Sequence, residues 1–485
     1  MFSRSIVVIC CMGLILSALN GCSSYKGTIE PSSQEAVNFK PKEPEQWKLS
    51  NGLSVLFIAD PEVPVVSGTL YLKGGGLWES EKLMGVTSAM GAQMRSGGTQ
   101  KLSPDMLDQE LEELSAQIGS SYAGEFGAVS FRSLKGDVGR VFSLFGDVLL
   151  RPRFDQARLD LWKGQAKEEI LRRKDDPWQI AGVSFAELVF GDSAYGRIML
   201  EKDLTRISRD EILKMHRQLV KPDGGLLVVV GDITRPELES MIERTLGSWR
   251  SRGSDLGPVP PLNFSPTPGI YFVSKPISQA AIYVGHQGVP RFTEDQYKID
   301  GFNEIFGSPF FGSRLVRKVR TELGLAYFIH GAIAPGVVKG RNFIAFQTKG
   351  ESVGAGIKAT LAELADLQMT PPASEDLEEV KRAISTSFIF NVDSSEKTIN
   401  RRATQQLLGF PSDFDDGYLT KINELTPEDI TEVAKNRWRV GDFVIVVVGN
   451  DAALNSLQEM MKDPPSGLEG FKLKKVSFDQ TLHLT

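Results

Sequence analysis

Histidine and cysteine are almost missing from this 485-residue sequence. Its four histidines are His216, His286, His330 and His483, and the closest two stand 44 residues apart. Its three cysteines, Cys10, Cys11 and Cys22, all fall within the first 22 residues. Zinc sites of the common helical or knuckle type need imidazoles or thiolates a few residues apart. The body of the chain offers no such pair. Positive charge is also in short supply: 55 Lys and Arg meet 61 Asp and Glu, a formal net charge of -6. That balance argues against a nucleic-acid partner, whose phosphates require a basic surface.

What is present begins with an export pattern. Arg4 precedes an apolar run, Ile6–Leu19, and then Asn20-Gly21-Cys22. The run is shorter than the roughly 20 residues of a spanning helix and reads as a secretory signal. Leu19-Asn20-Gly21-Cys22 resembles a bacterial lipobox, although Asn20 is unusual there. The resemblance implies cleavage before Cys22, acylation of Cys22 and a place in the cell envelope. Ser23, in place of the Asp that retains such proteins at the inner membrane, favours the outer membrane facing the periplasm. An ordinary cleaved signal is the alternative. Several acyl chains at about 0.8 kcal/mol per buried CH₂ would hold the protein durably. Residues 22–46, polar and with Pro31, Pro41 and Pro44, read as a flexible tether.

The rest of the chain repeats itself. Leu226–Gly231 and Val444–Gly449 are apolar strands, preceded by helix starts at Ser208 and Thr426 and followed by helical patterns Pro236–Leu246 and Ala452–Met461. From Ile207/Leu425 to Gly231/Gly449 the offset is a constant 218 residues, which reads as a duplication. Pro258, Pro260, Pro261 and Pro266 mark a linker at 256–267, dividing one domain at 47–255 from a second at 268–475. Each half opens with strands (Leu53–Ile58; Gly269–Val273 and Ala281–Val284). Long helical patterns follow at Pro104–Gln117, Asp155–Arg173 and Glu375–Phe390. The fold class is α+β, two homologous α/β-sandwich domains joined by a linker.

The segment from Ser308-Pro309-Phe310-Phe311-Gly312-Ser313-Arg314-Leu315 through Arg320-Thr321-Glu322-Leu323-Gly324-Leu325-Ala326-Tyr327 resembles the second-domain signature of the insulinase/pitrilysin-type metallopeptidases, which include the mitochondrial processing peptidases. Asn51-Gly52-Leu53, Pro64-Val65-Val66, Gly74-Gly75-Gly76, Glu79, Gly85, Glu168-Glu169, Pro177 and Tyr195-Gly196 match the first domain in order. The resemblance covers about residues 47 to 465. It implies a duplicated fold and, in active members, a zinc helix with an inverted H-x-x-E-H. That chemistry needs two imidazoles one turn apart and a Glu as general base. The three positions here are Ser88, Gly91 and Ala92, and no register of the chain contains H-x-x-E-H. Glu168 or Glu169 is the residual distal carboxylate, and alone it would not hold zinc.

Arg320 and Tyr327 stand in the arrangement of the family's Arg/Tyr pair, which the resemblance implies hydrogen-bonds a substrate carbonyl. Losing one such donor typically costs about 2.7–4 kcal/mol. From spacing alone, Arg320 could instead pair with Glu322 while Tyr327 faces the core. Gly74-Gly75-Gly76 reads as a strand end where backbones approach closely. Tyr122, Phe126, Phe131 and Trp78 could line a peptide cavity, but aromatics at such positions are more often core, and His216, His286 and His330 read as structural. Two functions fit. One is a zinc-less subunit, inactive alone, that binds no cofactor itself and supplies Arg320 and Tyr327 to a partner bearing H-x-x-E-H and zinc, acting on a peptide or unfolded polypeptide. The other is a non-enzymatic peptide-binding or scaffold lipoprotein.

Overall fold

The computed structural model describes residues 42–251, 256–309 and 312–481. The predicted signal and Cys22 lie outside them. In the first lobe the strands are β1 (Glu45–Lys48), β2 (Ser54–Ala59), β3 (Val65–Lys73), β4 (Gln117–Ala123), β5 (Phe126–Leu134) and β6 (Leu226–Gly231). Its helices are α1 (Val86–Ser96), α2 (Pro104–Glu113), α3 (Val138–Leu150), α4 (Gln156–Arg172), α5 (Pro177–Phe190), α6 (Glu201–Leu204), α7 (Arg209–Leu219) and α8 (Arg235–Leu246). The second lobe holds β7 (Gly269–Ser274), β8 (Gln279–Gln287), β9 (Phe328–Ala334), β10 (Arg341–Lys349), β11 (Val444–Gly449) and β12 (Leu473–Val476). Its helices are α9 (Gln296–Phe306), α10 (Val353–Met369), α11 (Ser374–Ile389), α12 (Ser395–Leu408), α13 (Tyr418–Asn423), α14 (Pro427–Arg437), α15 (Asp451–Met460) and α16 (Phe478–Thr481). Among the described residues no helix is long and apolar enough to cross a membrane.

Each lobe carries one six-stranded sheet, in the orders β1-β2-β6-β3-β5-β4 and β12-β7-β11-β8-β10-β9. The two mixed α/β lobes are copies of one plan. β6 runs parallel to β2 and antiparallel to β3, and β11 runs parallel to β7 and antiparallel to β8. Three pairs of elements keep the 218-residue offset at both ends: α5 and α12, α7 and α14, β6 and β11. The copies differ at one edge, where β1 arrives antiparallel from the amino end and β12 parallel from the carboxyl end.

The predicted helix starts are real caps. Ser208 Oγ accepts from Glu211 N at 3.2 Å, and Thr426 Oγ1 accepts from Asp429 N at 3.3 Å. Two boundaries differ from expectation. α2 stops at Glu113, because Ser115 takes φ 48° and the chain turns into β4 at Gln117. The first strand starts at Glu45, inside the segment read as tether, because Glu45 and Gln46 pair with Phe57 and Leu56. At the other end β12 and α16 carry the second lobe past residue 475 to Thr481.

The larger difference concerns where helices pack. Strands β6 (LLVVVG) and β11 (VIVVVG) are apolar throughout, as strands covered on both faces must be. One face of each sheet meets helices of its own lobe, and the other meets a helix from the other lobe. Ile180, Ala181, Phe185, Leu188, Val189 and Phe190 of α5 pack on Tyr271, Val273, Val444, Val446 and Val448 of the second sheet. Ile399 and Ala403 of α12 pack on Leu56, Ile58, Leu226 and Val228 of the first. The linker is docked as well: Tyr195 Oη donates to Pro260 O at 2.7 Å, and Gln287 Nε2 donates to Phe264 O at 3.0 Å.

Candidate functional site

The site begins at the amino end of α1. Gly85 precedes it at φ 83°, and the buried Glu79 carboxylate accepts from Gly85 N at 2.8 Å and from Thr87 N and Thr87 Oγ1 at 2.6 Å each. A carboxylate on the free N–H groups of a helix start satisfies those donors and meets the positive end of the helix dipole. Glu79 was visible in the sequence only as one letter of a family pattern. Its capping role needed the turn that folds residues 79–85 back onto the helix.

One turn further in, Ser88 is exposed, Gly91 is buried and Ala92 is half-buried. Gly91 is where α1 touches the edge strand β4. A Cβ at this position would stand 2.7 Å from Ser121 C and 3.0 Å from Ser121 Cα. Ser120 fastens the contact by entering the helix ladder, donating through Oγ to Gly91 O at 2.6 Å and accepting from Arg95 N at 3.0 Å. Gly307 repeats the device in the second lobe, where its Cβ would lie 2.6 Å from Gly331 Cα and Gly331 N donates to Gly307 O at 3.0 Å. The residues at the zinc position therefore do not fit a zinc ion: Ser88 and Ala92 bring no imidazole, and backbone fills the place of a general base. Glu168 and Glu169 lie exposed on α4, which packs on α1.

Arg320 and Tyr327 meet in the second lobe. Arg320 sits on a short π-helical segment, Val316–Glu322, closed by Leu323 N donating to Lys318 O at 3.0 Å. Val316 and Val319 anchor this segment in the core, and Arg314 pairs with Glu363 at 3.0 Å and with Asp366 on α10. A π turn in otherwise α-helical sequence often marks a functional position. Tyr327 immediately precedes the edge strand β9, and the Arg320 guanidinium lies 5.9 Å from the centre of its ring. Tyr327 is 77% exposed and Glu322 bonds Lys318 at 2.8 Å, so the arrangement with Tyr327 in the core and Arg320 on Glu322 is not the one adopted. Phe328 follows and lies edge-on to Trp178 of α5 at 5.7 Å.

Among the described residues, the outer edge of β9 is only partly used. Asn303 bonds both Ile333 N (2.8 Å) and Ile333 O (3.0 Å), and Gly307 O takes Gly331 N. Ile329, beside Tyr327, is the remaining residue of that outward-facing series.

The weaker candidates sort cleanly. Tyr122 and Phe131 are core residues of the first lobe, and burial drives the Tyr122 hydroxyl well above the usual phenol range. Trp78 lies under Lys73 Nζ at 5.9 Å, and Phe126 begins β5 half-buried. Gly75 does mark a close approach, with its Cβ position 2.6 Å from Gly124 O. His216 bonds Leu149 O at 2.8 Å, while His286 lies against Phe443 and Trp438; burial lowers the pKa of both and of His330. A group missed in the sequence is Glu187 of α5, in the wall of a cavity of about 370 Å³ shared with Asp192, Arg197 and Arg206. Burial first, and then the charge of Asp192, push its carboxyl up to about 8.

Comparison with known proteins matches this geometry. Residues 54–188 match the family model for insulinase (peptidase family M16), and residues 206–384 match the model for the peptidase M16 inactive domain. The chain is 20% identical over 407 residues to the uncharacterized zinc protease YmxG of Bacillus subtilis, covering 83% of this chain and 98% of that one. It is 21% identical over 406 residues to the non-peptidase homolog YmxG of Helicobacter pylori, covering 79% and 88%. In fold it resembles the crystal structure of a peptidase M16 inactive domain from Pseudomonas fluorescens, with TM-score 0.77 and 22% identity over 84% of this chain and 98% of that one. A protease from Helicobacter pylori superposes with TM-score 0.72 at 18% identity, covering 84% and 100%. With both halves matched in order and the duplicated fold in place, the chain belongs to the insulinase-type peptidase family, M16, as a member without its H-x-x-E-H motif.

Proposed function

We propose that this chain is the zinc-less subunit of a heteromeric metallopeptidase and presents Arg320 and Tyr327 to a catalytic partner with an intact H-x-x-E-H. The observation that carries the reading is the pair itself: the half-buried Arg320 guanidinium stands beside the exposed Tyr327 ring at a sheet edge, while the zinc position of the same chain is closed by Gly91 on β4. A solvent-facing tyrosine makes little contribution to a core. A guanidinium and a phenol are suitable donors for the oxygen of a peptide carbonyl, on which negative charge develops during hydrolysis.

In this reading the partner holds the zinc and this chain holds none. The substrate is an extended peptide or unfolded polypeptide, which the free position at Ile329 on the β9 edge would receive by strand addition. Acylation of Cys22 would place the complex at the envelope membrane, the outer one by the identity of Ser23. A scaffold or peptide-binding lipoprotein is the alternative, favoured by the relative named a non-peptidase homolog. The two separate in one experiment on the complex co-purified with an H-x-x-E-H partner. Arg320→Ala and Tyr327→Phe should each lower kcat by about 10²–10³ with assembly unchanged on size exclusion. Full cleavage by the double variant would leave only the scaffold reading.

A further inference from the structure

A second feature of the first lobe lies apart from α1 and from Arg320. Three helices end close together: α3 at Leu150, α7 at Leu219 and α8 at Leu246. Around their ends Arg151, His216, Arg217 and Arg250 open on a cavity of about 380 Å³ with Leu150 and Trp249 in its wall. Among the described residues, no carboxylate lines it. In a chain of net charge -6, Arg217 and Arg250 around one cavity concentrate charge of the opposite sign, while Asp147 balances Arg151 and burial favours the neutral form of His216.

Basic residues at helix carboxyl ends would be explained if the helix dipoles consumed them. Here the carbonyl ends are served by backbone donors, by His216 and by one nitrogen of Arg250, and among the described residues the Arg217 side chain bonds none of them. His216 Nε2 bonds Leu149 O at 2.8 Å, Gln100 N donates to Arg151 O at 2.9 Å, and Val220 N donates to His216 O at 2.9 Å. Arg151 is held by Asp147 through Nε at 2.8 Å, which fixes its plane, and Lys101 shares the same carboxylate at 3.0 Å. Arg250 bonds Gly247 O at 2.5 Å and Trp249 O at 3.1 Å through Nη1, leaving Nη2 for another acceptor. Arg217 is exposed and has no ion-pair partner among the described residues.

We infer that this cavity is a binding site for a phosphate ester, with Arg217 and Arg250 taking the phosphate and Leu150 and Trp249 facing its organic group. Guanidinium forks match phosphate oxygens two at a time. The cavity is several times larger than a lone phosphate, and its mixed lining suits an ester with an apolar part. The ligand is the headgroup of a phospholipid or a soluble phosphate ester, which share this chemistry.

The test is calorimetric titration of the full chain at fixed ionic strength with inorganic phosphate, glycerol 3-phosphate and dihexanoyl phosphatidylglycerol below its micelle concentration. Saturable binding is expected for the two esters, weakened at least tenfold in Arg217→Ala/Arg250→Ala with an unchanged thermal midpoint. Tighter binding of the dihexanoyl lipid than of glycerol 3-phosphate identifies a lipid headgroup, and equal binding a soluble ester. No saturable binding, binding unaffected by the double variant, or inorganic phosphate binding as well as both esters overturns the assignment. Cleavage by a peptidase complex plays no part in the readout, so the result stands apart from the role of Arg320 and Tyr327.

Discussion

At the scale of single residues, Gly91 changes meaning between sequence and structure. Ser88, Gly91 and Ala92 are legible in the sequence as the loss of metal chemistry, because imidazole and carboxylate are simply not there. What the sequence cannot carry is that Gly91 has work of its own, since a contact with Ser121 thirty residues away leaves no local pattern. The structure makes it the point where the backbone of α1 docks on that of β4, fastened by Ser120 Oγ on Gly91 O. Restoring the motif should therefore fail for a steric reason. Gly91→Ala gains about 1 kcal/mol in helix propensity but meets an overpacking penalty of about 1–3 kcal/mol. Denaturant unfolding should show a net loss, and the larger side chain of Ser88→His/Gly91→Glu/Ala92→His a greater one, with no stoichiometric zinc by metal analysis. A stable triple variant that binds one zinc per chain would refute this account of Gly91.

Among elements, α5 shows what is legible and what is not. Its start is written in Asp176-Pro177: the Asp176 carboxylate accepts from Trp178 N at 2.9 Å, and Pro occupies the first turn. Its destination is not written, because apolar residues around most of a helix announce burial without naming the sheet that provides it. The same helix carries Glu187 into a buried wall, and that gives α5 a pH signature. In the folded chain this carboxyl titrates at about 8 against an ordinary value of 4.5, so between those values the folded state binds the extra proton. Stability from this group is therefore complete below pH 4.5 and is lost as the pH rises toward 8. Asp300, raised to about 6 by burial, acts in the same direction over a lower range. The lowered histidines act oppositely, since a fold that keeps them neutral loses stability as the pH falls below their ordinary 6.5. Comparing the protein with Glu187→Gln cancels both. The variant should gain on the parent steadily from pH 6 to pH 8 in urea midpoints. A difference that stays constant over that range would mean that the buried carboxyl is not the source.

For the whole molecule, the duplication read from the 218-residue offset describes ancestry better than it describes folding units. Each copy sends one helix to cover the other copy's sheet, α5 to β7, β8 and β11, and α12 to β2 and β6. Arg291 and Glu125 join the lobes again, as a largely buried ion pair between the turn after β8 and the β4–β5 turn. A cut in the linker at 256–267 would consequently not yield two domains. The first half alone would expose Ile180, Phe185, Leu188, Val189 and Phe190 together with Leu56, Ile58, Leu226 and Val228. At about 1.5–3 kcal/mol for each large apolar side chain returned to water, nine of them amount to about 14–27 kcal/mol, at or above the upper end of the 5–15 kcal/mol that holds a typical domain folded. Expressed separately, residues 42–255 and 256–481 should each aggregate or bind a hydrophobic dye. Expressed together, they should assemble into one particle that unfolds in a single transition, as is expected of the intact chain. A soluble, cooperatively folding first half on its own would show that the exchanged helices only decorate two independent lobes. The expected outcome instead makes their exchange the bond that sets Phe328, next to Tyr327, against Trp178, a residue of the other half of the chain.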